Sequence, residues 1–191
     1  MITFQKFLNE EISPEDIKKF LKMAQHKAYS YLLAAQGQFC FRGMEDKKEI
    51  IFNKKVRKDR RPTDMSKTMS KRLDDAFNAV FDIRGRSQCV FVTGDESTAI
   101  RYGDPYYIFP KGNIHWLWSE KVEDLFKIAK SKTSEVAKMD QDDLEYWVKT
   151  NYTKDQSLSK AIRSGNEIMI ECKNYMAISS DYYDAIKGRI R

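Results

Sequence analysis

Histidine is nearly absent from this chain: His26 and His115 are the only two. The three cysteines, Cys40, Cys89 and Cys172, each fall inside an apolar run, with no C-x-x-C pair and no Cys-His spacing. Structural zinc, which draws four Cys or His ligands, is therefore not expected, and no metal is assigned. The thiols read as free and buried, in a reducing compartment. No apolar run approaches the ~20 residues needed to span a bilayer. The opening MITFQKFLNEE has the pattern of neither a secretory signal nor an Arg-rich transit sequence. A cytoplasmic protein with no membrane partner is the expectation. Internal repeats, low-complexity tracts and Pro-Gly linkers are also missing, which points to one domain over 1–191.

What is present is a core's worth of apolar residues and an uneven charge. At 191 residues and 41% hydrophobic content the chain can bury one substantial core. Between Lys47 and Arg72 stand eleven Lys or Arg against three acids, a net +8, where the whole chain carries +6. The remainder is slightly acidic. Such a field attracts polyanions, and Arg57, Arg60 and Arg61 fork onto phosphate better than lysines do. They are the candidate acceptor-binding residues. A solvated basic loop is the plainer reading of the same run.

Ser13-Pro14-Glu15-Asp16 reads as a helix start, and Ile17, Phe20, Leu21, Ala24, Ala28, Tyr31 and Leu32 repeat at helical spacing until Gly37. This helical element spans 1–37. Strands are predicted near 38–43 and 49–56, and a helix from Ser66 to Phe81 with Met69, Leu73, Phe77 and Val80 on one face. Beyond Gly85 short elements alternate: a strand at Cys89–Thr93, a helix at Glu96–Arg101, and strands at Tyr106–Phe109 and Ile114–Trp118 separated by Pro110 and Gly112. Ser119 is predicted to cap a helix through Ile128. Helices near 134–149 and 155–163 follow, then a closing hairpin from Glu167 to Ile178 turning at Lys173-Asn174, and a tail at 180–191. The fold class is α+β.

Three segments carry one polar residue each against an apolar strand: FCFRGM ending in Arg42 to Met44, RSQCVFVTGDESTAIRYG from Arg86 to Gly103, and GNEIMIECKNYMAIS from Gly165 to Ser179. A cation, a hydroxyl and a carboxylate at strand ends can line one cleft. That order resembles the ADP-ribosyltransferase-like proteins, including members encoded by tailed bacteriophages. The likeness covers roughly residues 38 to 179. VFVTGDESTAIRYG is its most specific part, NEIMI is intermediate, and FRG alone is weak.

The resemblance implies a split mixed or antiparallel sheet core with an N-terminal helical extension, NAD as the donor, and action in a host cytoplasm. It gives Glu167 the catalytic role, beside the positive charge that develops on the ribose. Arg42, with Gly43, would hold the cofactor, while Ser87, Thr93 and Tyr102 are alternative contributions of the middle strand. Glu171 lies four residues on, facing the same side, and is the second carboxylate to consider. Two departures stand out. Gly165 occupies the position where arginine-modifying members carry a second acid, which disfavours arginine as acceptor. VFVT also lacks the Ser-Thr-Ser run of one subgroup, and Arg42 replaces the His of another.

Read without the resemblance, Glu167 is a solvent-facing strand start, and Thr93-Gly94-Asp95 is a turn with a helix cap. The acceptor expected from the basic segment is a nucleic acid or a nucleic-acid-bound protein. A non-catalytic basic nucleic-acid-binding or inhibitor protein is the alternative. A nuclease ranks below both, since Asp140, Asp142, Asp143 and Glu145 look like a helix start.

Overall fold

The computed structural model describes residues 12–45, 49–58, 65–129 and 134–182. The first helix, α1 (Pro14–Lys27), begins where Ser13 accepts the Asp16 amide at 3.1 Å, with Glu15 and Asp16 near the positive end of the helix dipole. Its buried stripe is Ile17, Phe20, Leu21 and Ala24. The helix expected to run on to Gly37 is two helices instead. The Lys27 carbonyl accepts the Gly112 amide at 2.8 Å, which diverts it from the next helical turn. Ala28 leaves helical geometry at φ −111°, ψ 25°. The chain restarts as α2 (Tyr29–Ala35) and stops at left-handed Gln36 and Gly37.

Two four-stranded antiparallel sheets follow. The first has the order β1 (Cys40–Met44), β4 (Asp104–Lys111), β8 (Asn174–Ser179), β2 (Ile51–Lys55). The second runs β3 (Cys89–Val92), β7 (Ile168–Glu171), β5 (His115–Trp118), β6 (Thr153–Lys154). Phe41 and Thr93 tie them together by exchanging amide hydrogen bonds of 2.7 and 2.9 Å. The protein is thus α+β, and among the described residues no helix is long and apolar enough to cross a membrane.

Several local expectations are corrected here. The closing hairpin does not form: β7 pairs with β3 and β5, β8 with β4 and β2, and the chain crosses between sheets at Cys172 and Lys173. Pro110 does not interrupt β4. It pairs with Tyr175 just past Ile108, where β1 has ended, so its missing amide costs no ladder bond on that side. Ser119 accepts the Lys121 and Val122 amides in a turn, and the helix itself, α6 (Leu125–Ala129), starts only after Asp124 caps Phe126. The stretch near 134–149 breaks in two, α7 (Glu135–Lys138) and α8 (Gln141–Asn151), because Asp140 caps the second segment through the Asp143 amide. The short β6 strand had no signal in its sequence. The helix expected near 155–163 forms as α9 (Leu158–Ser164). At the C-terminal end, 180–182 form a single 3-10 turn, and the rest of the predicted tail lies outside the described residues.

Alternation along β7 divides the interior. Ile168 and Ile170 join Val90 and Val92 in a core shared with the first sheet, α1, α2 and α9. Met169 points the other way, to a second core with Leu117 and Cys89 beneath α3 (Lys67–Phe81) and α8. All three cysteines are free and buried.

Candidate active site

Glu167 enters β7 from a tightly held approach. Gly165 ends α9 at φ 74°, and its carbonyl accepts the Thr93 hydroxyl at 2.5 Å. Asn166 donates its side-chain amide to the Ser119 carbonyl at 2.8 Å. The Glu167 amide donates to the Glu123 carbonyl at 2.8 Å. Three successive residues are therefore fixed to two different segments, the end of β3 and the turn at 119–123, before the carboxylate is reached.

That carboxylate faces Arg86. Glu167 Oε1 lies 3.7 Å from Arg86 Nη1, with side chains only 20% and 8% exposed respectively. The separation is an ion pair, too long for a hydrogen bond. Arg86 belongs to α4 (Gly85–Gln88), whose first turn is held by the buried Asp74: its Oδ1 accepts the Arg86 amide at 2.7 Å and the Ser87 amide at 3.1 Å. The guanidinium carbon rests 4.6 Å from the Phe91 ring centroid. Among the described residues, Arg86 Nε and Nη1 find no hydrogen-bond acceptor.

Phe91 also receives the second arginine. Its carbonyl accepts Arg42 Nη1 at 2.9 Å, so one residue of β3 holds Arg86 by its ring and Arg42 by its backbone. Burial lowers the pKa of Arg42, opposed by Tyr175 and by the Glu167 carboxylate. Two tyrosines complete the group. Tyr102 donates to Asp124 Oδ2 at 3.2 Å, and burial, Asp124 and Glu167 raise its pKa, with Arg101 opposing. Tyr152 is buried, and burial with the Glu167 charge pushes its phenol well above the usual range.

The sequence candidates separate accordingly. Arg42, Tyr102 and Glu167 share one electrostatic neighbourhood. Thr93 is buried and its hydroxyl is already committed, donating to Gly165 and accepting the Asp95 amide at 3.1 Å. Asp95 in turn caps α5 (Glu96–Ile100). Gly43 serves packing: a Cβ there would lie 2.0 Å from the Ala99 carbonyl oxygen and 2.9 Å from Tyr102 Cβ, so its bareness lets α5 approach β1. Ser87 precedes the Cys89 end of β3, the end paired with Glu171 and away from Ile168. Glu171 lies at that far end, where its charge joins burial in raising the Cys172 thiol to about 12. Arg57 is exposed just past β2, at the opposite edge of its sheet from β1. Arg60 and Arg61 lie outside the described residues.

Beside this group opens a cavity of about 900 Å³, at the upper end of the roughly 300–1,000 Å³ usual for small-molecule and cofactor sites. Tyr102, Asp124 and Asn166, the last next to Glu167 in the chain, line it together with the aromatic rings of Phe39, Phe41 and Tyr107, while Glu167, Arg42 and Arg86 lie outside its lining. Arg101 and Arg163 also line it. Sequence reasoning did not select Asp124, Asn166, Arg101 or Arg163. Arg101 and Asn166 stand inside VFVTGDESTAIRYG and NEIMI but carry no role there, Asp124 and Arg163 stand in neither, and only the folding of α5, α6 and α9 around one space gathers them. No family model, curated protein or solved structure matches the chain.

Proposed function

We propose that this protein is an NAD-dependent ADP-ribosyltransferase, of the kind encoded by tailed bacteriophages, that modifies a macromolecule in the host cytoplasm. A nucleic acid or a nucleic-acid-bound protein is the favoured acceptor. One observation carries the reading: Glu167 heads a buried strand with Arg86 at 3.7 Å, within electrostatic reach of Arg42 and Tyr102, beside a cavity large enough for a dinucleotide. Two antiparallel sheets joined, among the described residues, by the Phe41–Thr93 bridge are in keeping with the split sheet of that fold.

The donor supplies a glycosidic bond whose cleavage leaves positive charge on the ribose while nicotinamide departs with the bonding electrons. Glu167 accepts a hydrogen bond from a ribose hydroxyl and stabilises that charge, an interaction strongest in the transition state. Arg86 and the anchored backbone at 165–167 hold the carboxylate in one orientation. Tyr102 keeps its proton, since its pKa is raised, and donates at the cavity wall. Gly165 offers no acid to an incoming arginine side chain, which supports a different nucleophile. The exposed Arg57 and its basic neighbours favour a polyanionic acceptor. The testing experiment uses NAD labelled in its adenylate phosphate, with host nucleic acid or extract. Label transferred to the macromolecule is expected, and the absence of both transfer and nicotinamide release rejects the reading.

A further inference from the structure

The charged groups of the cavity are not equally occupied. Asp95 accepts from the Ser97 amide and hydroxyl and from the Thr98 hydroxyl. Asp124 accepts the Phe126 amide and the Tyr102 hydroxyl. Glu123 pairs with Lys127 at 3.1 Å. Every cavity acid thus has its partners within the protein. Arg101 and Arg163 are the contrast. Both line the same space and are exposed, and among the described residues neither side chain makes a hydrogen bond or an ion pair. Arg101 precedes Tyr102 at the end of α5, and both line the cavity. Arg163 enters from the last turn of α9. Phe39 and Phe41 line the same cavity half-buried, packed on Tyr107 at 5.4 and 4.8 Å.

We propose that Arg101 and Arg163 clamp the diphosphate of a nucleotide in this cavity, with a flat ring of that nucleotide against Phe39 and Phe41. This rests on the transferase reading of Glu167 and assigns the donor's pyrophosphate to residues other than Arg42. A planar guanidinium forks onto phosphate oxygens in two parallel bonds, while aromatic side chains take a base on their faces. Arg42 is spent differently, on the Phe91 carbonyl.

Calorimetric titration of NAD, ADP-ribose and adenosine into the full chain, its Arg101→Gln and Arg163→Gln variants and the double variant tests the clamp. Both arginines are exposed, so the variants keep the fold, checked by an unchanged melting temperature. Each single change is expected to weaken ADP-ribose and NAD about tenfold, as for a lost charge-assisted bond, and the double change about a hundredfold, with adenosine unaffected. ADP-ribose binding indifferent to both changes, or no binding of NAD or ADP-ribose at low salt, overturns the clamp. Arginine-dependent binding without nicotinamide release or label transfer supports the clamp and removes the transferase reading. Label transfer that survives both substitutions at unchanged KM for NAD keeps that reading and overturns the clamp.

Discussion

Arg86 and Glu167 face each other at 3.7 Å, one on a single-turn helix and the other at the head of β7. Their proximity is created by Phe91, whose ring carries the guanidinium. Removing either member of a buried pair leaves the other charge desolvated, a loss of about 3 kcal/mol or more. Arg86→Met and Glu167→Gln should each destabilise the protein, and the double variant should lose less than the two combined. Urea unfolding of all four proteins measures the coupling, expected at about 1–3 kcal/mol; strict additivity would mean that the pair does not act as one.

Catalysis should divide the two carboxylates of β7. Glu167→Gln is expected to lower transfer by orders of magnitude while NAD still binds, the signature of a group used in the transition state. Glu171→Gln, at the strand end facing the Cys89 and Cys172 thiols, should leave turnover near that of the parent. Single-turnover rates with labelled NAD decide the matter, and the reverse ranking would move the chemistry to Glu171.

Thr93 tests whether a buried hydroxyl serves the fold or the donor. Thr93→Val removes the bonds to the Gly165 carbonyl and the Asp95 amide, at a cost of about 1–3 kcal/mol. Thr93→Ser should restore most of that loss. KM for NAD is expected to stay within about twofold in Thr93→Ser; a large rise there would give the hydroxyl a direct contact with the donor.

The thiols make an alkaline prediction. Burial raises Cys40 and Cys172 from an ordinary 9.0 to about 12, so the folded state keeps protons that the unfolded chain has already released. Their contribution is complete below pH 9, falls as pH rises above it, and is lost by about 12. Unfolding midpoints measured from pH 7 to 11 should decline above pH 9, and the decline should be shallower in Cys172→Ala. A flat profile would show that the thiols ionise alike in both states.

Salt should report on the basic segment. If Arg57, Arg60 and Arg61 contact a polyanion, binding falls with a log-log slope of about 0.7 to 0.9 per phosphate contact. Replacing all three with glutamine should flatten that slope and weaken the acceptor while leaving nicotinamide release nearly unchanged. Nucleic-acid binding undetectable at low salt would remove this acceptor class and leave a protein as the target.

Local rules read directly from sequence located much of the frame. Ser13 with Pro14 and Ser66 with Met69 mark helix starts because a side-chain oxygen satisfying a free amide is a contact within one turn. The apolar runs at Cys89, Ile168 and Met176 became strands, since alternation needs only neighbours in the chain. Glu167 could be singled out at that level as a carboxylate heading such a run. What surrounds it could not. That β7 and β8 join different sheets, that the Lys27 carbonyl turns to Gly112, and that Arg86 lies over Phe91 depend on partners far away in sequence. Arg101 and Arg163 are the sharpest case. Each is an ordinary charged residue at a helix end, and they become one site only because tertiary packing folds α5 and α9 around the same cavity and gives every cavity acid another partner.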